Sequence, residues 1–108
     1  MELQSVVNAI LEDRKRVTDS IKVLWKLARK KAETEQTYRK QLELEIMQLK
    51  QEKMQATLIP DVARGRCADL KYERDLAEAE YKVAVASLSA LETSISALQT
   101  ISKYQSDI

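Results

Sequence analysis

The sequence predicts an all-α protein: an antiparallel helical hairpin or coiled coil that associates into a four-helix bundle. Three observations predict it. The 108 residues contain one Gly and one Pro, Pro60 and Gly65, lying close together in the chain. A β or α/β chain turns every ~8–12 residues and draws on those two residue types to do so. The remainder is rich in Ala, Leu, Glu, Lys and Gln, the strong helix formers. Apolar residues recur in 3/4 spacing on both sides of the Pro–Gly pair.

The expected organisation is one helical-hairpin domain, with a first arm over about 2–53, a connector over 54–66 and a second arm over 67–105. The first arm opens with Leu3, Val7, Ile10, Arg14, Val17, Ile21, Leu24 and Ala28 in seam spacing. Lys31 and Glu35 then occupy seam positions before Tyr38 and Leu42 resume the pattern. The stretch 29–37 is polar all round and reads as a solvated segment of a long helix or as a break into two. Beyond it, the phase slips to Ile46 and Leu49, as a stutter would make it.

In the connector, Pro60 cannot continue a helix interior but can open a short new turn. Gly65 is then expected to end that turn in the left-handed conformation. Leu58, Ile59 and Val62 are more apolar than a free loop requires. They either cap the end of the bundle or form a partner-docking tip flanked by Arg64 and Arg66. Cys67 has two arginines nearby that would lower its pKa, and without a second Cys or a His base it reads as an incidental thiol.

The second arm carries the cleanest seam, Ala77, Tyr81, Ala84, Leu88, Leu91, Ile95 and Leu98, assigned to oligomer packing. Leu76, Val83, Ala90, Ala97 and Ile101 form a second stripe beside it, wider than a two-stranded contact needs. Folding back at 54–66 pairs residue i with roughly 119 minus i. The first 13 residues would then overhang with Leu3, Val6, Val7, Ile10 and Leu11 uncovered. Both features point to a homodimer or tetramer.

The chemistry available is narrow. The chain has no His, which excludes His-based acid–base catalysis, Ser-His-Asp triads and His metal sites. One Cys makes neither an internal disulfide nor a zinc site, so no metal and no cofactor are expected and an enzyme ranks last. No apolar run approaches a membrane span, and the acidic polar face of the first segment suits a membrane surface poorly. Lys+Arg 18 against Asp+Glu 17 argues against indiscriminate nucleic-acid binding. One basic cluster nevertheless stands out: Lys22, Lys26, Arg29, Lys30 and Lys31, with Trp25 among them as a possible stacking face for a base. Its expected register places it opposite residues 88–97, where Glu92 is the sole charge, and Trp25 is expected to pack into the bundle beside Ile21 and Ala28. The acidic residues Asp69, Glu73, Asp75, Glu78 and Glu80 read as ordinary helix-surface ion-pair partners.

The stretch from Ala56 to Gly65 (ATLIPDVARG), with Ala68 to Lys82 (ADLKYERDLAEAEYK) and Tyr38 to Leu42 (YRKQL), resembles small helical proteins of unknown function encoded by phages and prophages of Gram-positive bacteria. The resemblance covers residues 38–82. It implies a phage accessory protein in the bacterial cytoplasm, often encoded near replication and recombination genes, with no catalytic residues to carry over. The expected function is therefore a non-enzymatic interaction protein that docks on or scaffolds another protein. The rival is a nucleic-acid-binding accessory that uses the basic cluster.

Overall fold

In a computed structural model, which describes residues 2–106, the chain is all-helical: α1 (Leu3–Gln51), α2 (Ile59–Arg66) and α3 (Ala68–Ser106). It divides into two compact units, a terminal unit (Met1–Lys26 with Lys82–Ile108) and a turn unit (Leu27–Tyr81). Each is an antiparallel pairing of α1 with the returning chain. No strand occurs among the described residues.

The turn unit holds the chain reversal and the densest packing. α1 ends in a left-handed cap, but the residue that takes it is Lys53 (φ 61°), not Gly65. The Lys53 N–H donates to the Lys50 carbonyl and the Met54 N–H reaches back to Leu49 (both 3.1 Å). That is the paired closure of a Schellman cap. Met54 then lies on a cluster of Leu49, Ile59 and Ala63, which Leu42, Ile46 and Val62 complete. Pro60 stands in the first turn of α2, where its missing N–H costs nothing.

Gly65 corrects the expectation: no glycine has positive φ, and Gly65 lies inside α2. α2 ends instead at Cys67, whose N–H donates to Ala63 and Arg64 carbonyls. Nothing lies within 4 Å of a Cβ built on Gly65. Gly65→Ala should therefore stabilise by about 0.5–1 kcal/mol, the cost of a helical glycine. Lys53→Gly should do likewise, because glycine relieves a left-handed L-residue. Urea unfolding of the two variants checks both signs.

The register also differs from the expectation. Lys30 faces Glu80 (3.6 Å) rather than Ser89, and Glu35 faces Arg74 (3.5 Å) rather than Ala84. The cause is α2. Ile59 and Ala63 pack on Leu49, so the return begins before α3 and the connector is shorter than 54–66. α1 is continuous through 29–37, and its inward line runs Tyr38, Leu42, Ile46 and Leu49, with Glu45 half-buried beside Ile46. Glu45 pairs with Arg66 (3.4 Å).

In the terminal unit, Asp13 accepts a hydrogen bond from the Ser94 hydroxyl (2.8 Å), where the expected register gave Ser106. The overhang is therefore absent: Val6 is 0% exposed. The inward line of α1 here is Val6, Ile10, Asp13 and Val17, not Leu3, Val7 and Arg14. On α3, Ala84, Leu88, Leu91, Ile95 and Leu98 are half-buried, as is Tyr81 in the turn unit, where Ala77 is buried. This seam serves the pairing with α1. The second stripe stays exposed.

Candidate functional site

The turn unit carries a charged layer where coiled coils ordinarily place apolar side chains. The Arg74 guanidinium stacks on the buried Tyr38 ring at 4.5 Å and pairs with Glu35. Lys31 sits over Tyr81 at 5.3 Å from its centroid. Cation–π contacts of this kind let aromatic rings replace apolar seam residues without stranding a charge. A hydrogen bond from Arg39 holds the Glu35 carboxyl below its ordinary 4.5; burial opposes this, and the charges of Arg39, Arg74 and Lys31 reinforce it. Hydrogen bonds from Lys71 and Arg74 likewise hold Asp75 below 3.8. A groove of about 640 Å³ opens here, lined by Ala28, Lys31, Ala32, Glu35, Arg74, Glu78 and Tyr81. Glu35 and Arg74 are already engaged with each other, so the layer reads as a pairing device.

The two depressed carboxyls set an acid limit. Their contribution is complete above the unfolded values near pH 4–4.5 and is lost as pH falls through the lower folded ones. The urea midpoint should therefore drop on acidification below about pH 4, and Glu35→Gln should flatten that slope. Added salt should weaken the effect, because both carboxylates are solvent-accessible.

The predicted docking tip is largely internal. Ile59 is buried at 6% exposure and Val62 packs on the Leu49 cluster, so Leu58 alone among the three apolar residues is presented. Arg64 pairs with Asp61 (3.2 Å) and Arg66 with Glu45. Burial pushes the Cys67 thiol above 9.0 and the Glu45 charge adds to it, opposite to the expected lowering. The basic cluster is divided. Lys30 is paired with Glu80 and Lys31 lies on Tyr81, whereas Lys22, Lys26 and Arg29 are exposed.

The main departure is Trp25. It is 73% exposed rather than packed beside Ile21 and Ala28. On α1 of the terminal unit it ends a ridge of exposed apolar residues, Leu3, Val7, Leu11 and Ile21, spaced three or four apart once Arg14 and Thr18 are counted. The sequence reading placed Leu3, Val7 and Ile21 in the seam. Ile10, Val17, Leu24 and Ala28 of that seam do face inward; the inward line departs from it at Val6 and Asp13. Lys15, Lys22 and Lys26 border the ridge, and none has an ion-pair partner among the described residues. The surface thus has an apolar crest interrupted by Arg14 and Thr18, an aromatic end and a basic rim.

Among the described residues no cluster of metal-ligating side chains occurs, and no helix is long and apolar enough to cross a membrane. Comparison with protein-family models, curated proteins and solved structures gives no match.

Proposed function

We propose that this chain is a non-enzymatic helical interaction protein that docks through the α1 ridge on an acidic amphipathic helix of a partner protein. The observation that carries the reading is Trp25, a large aromatic exposed at the end of four exposed aliphatic residues. Exposed Trp is the residue type most often found to dominate an interface once covered. An apolar crest with a basic rim fits a helix whose apolar stripe is edged by carboxylates. The resemblance of residues 38–82 to small phage proteins supports an accessory role of phage or prophage origin.

Trp25 among Lys22 and Lys26 also favours a second reading, single-stranded nucleic acid stacked on the indole. The aliphatic crest distinguishes the two, since a stacked base has no use for Leu11 or Val7. In affinity capture from cells of the source organism, Trp25→Ala should weaken retention of the partner at least ~30-fold, about 2 kcal/mol. Leu11→Gln should weaken it as well. Because Trp25 is the single Trp, its emission should be water-like in the free protein and shift to the blue on partner binding. DNA binding should be weak at ~50 mM salt and lost by ~200 mM, as a few phosphate contacts dictate. Tight single-stranded DNA binding that survives ~200 mM salt, abolished by Trp25→Ala and indifferent to Leu11→Gln, would overturn the protein-docking reading.

A further inference from the structure

The terminal unit is short of covered apolar surface. Val6 is its one fully buried apolar side chain among the described residues, against ten large exposed ones. The whole chain exposes 8099 Å², where a compact folded chain of 12.4 kDa exposes about 6,100 Å². The excess of about 2,000 Å² per chain is within what an obligate homodimer covers. The α1 ridge does not suit a copy of itself, because a two-fold axis would set its basic rim against an identical rim.

The α3 face is different. Val83, Ala86, Ala90, Ala97 and Ile101 are exposed and share one side of the helix, with Ser94 at its edge, its hydroxyl turned to Asp13 of α1. Between Lys82 and Lys103 the single charged residue is Glu92. Nine residues, or two and a half turns, separate it from both Val83 and Ile101, which puts it on the opposite side of α3. The face is also a near-palindrome about residue 92, with large residues at its ends and small ones between.

We propose that a second copy of this chain docks on this face, α3 against α3 in antiparallel orientation, with the two-fold axis near Glu92. Val83 of each copy then lies against Ile101 of the other, with the two copies of Ala90 close to the axis. The small central residues let the helices approach closely, and the large residues close the ends. An uncharged face selects no oppositely charged partner, and its palindrome is the symmetry that an isologous contact requires. The inference is independent of the docking role of the α1 ridge.

Light scattering on the full chain tests it. At tens of micromolar the wild type should have about twice the 12.4 kDa chain mass. Val83→Lys, at a position 66% exposed, should weaken association at least tenfold, whereas Val85→Lys, off the stripe, should leave it unchanged. Adding Ile101→Glu to Val83→Lys should restore association at low salt. The two positions are about 27 Å apart along one helix, so the new charges meet only across an antiparallel pair. If Val83→Lys also loses helix, circular dichroism of the double variant should show helix and dimer recovering together. A wild-type monomer at ~100 μM, an unaffected Val83→Lys dimer, or failure of Ile101→Glu to rescue would each overturn the proposal.

Discussion

Leu49→Ala is expected to destabilise the protein by roughly 2–5 kcal/mol, the range for removing a large side chain from a packed core. Leu49 is 0% exposed and belongs to a cluster of buried apolar residues with Ile59 and Ala63. It also fixes the chain reversal twice over. Its carbonyl accepts the Met54 N–H that closes the α1 cap, and its side chain seats α2. Removing the side chain leaves a cavity that the cap and α2 must both collapse to fill. A domain of this size holds only ~5–15 kcal/mol of stability, so the variant should unfold at a much lower urea concentration. A midpoint within error of wild type would show that the cluster does not hold the turn unit together.

Ala63→Glu should cost about as much, roughly 3–5 kcal/mol, for a different reason. Ala63 is 0% exposed among Leu49, Ile59 and their apolar neighbours, so a carboxylate there has no partner. Burial would raise the pKa of the introduced group above the ~4.3 it has in the unfolded chain. The penalty is then full above the raised folded value and shrinks as pH falls toward ~4.3. The variant should be closer to wild type at pH 5 than at pH 8. Ala63→Gln, which does not titrate there, should show no such recovery. Equal destabilisation of the Glu variant at both pH values would mean that its carboxylate escapes to water.

The all-helical hairpin was legible in the sequence because glycine and proline are confined to one short stretch and helix formers in 3/4 spacing fill both sides of it. The α3 seam from Ala77 to Leu98 was legible because α3 is poor in charge there, so its period is undisturbed. Reading failed where polar residues occupy inward positions. Asp13 and Val6 take inward positions of early α1 beside Ile10 and Val17, and the Asp hid that line. Reading failed again where backbone conformation was inferred from residue type alone. Glycine is the usual left-handed cap, yet Lys53 takes it because Met54 and Leu49 meet only if the chain reverses there. The register differs because a connector over 54–66 starts the return only after α2, whereas Ile59 and Ala63 of α2 already pack on Leu49. The exposed ridge was missed because Leu3, Val7 and Ile21 fit the same 3/4 spacing as Ile10, Val17 and Leu24, and only the latter three turn inward.

Cys67 gives this protein a natural clock for its own opening. It is the single cysteine of the chain, it is 1% exposed, and it sits between α2 and α3 in the turn unit. A thiol reagent reaches the sulfur only in molecules whose turn unit has come apart. When reclosing is fast, the labelling rate divided by that of a free thiol equals the fraction open at any moment. The unmodified protein in native buffer therefore reports the stability of its turn unit with no denaturant and no engineered probe. Repeating the measurement across protein concentrations, or with a partner bound, separates events that protect the turn unit from those confined to the terminal one.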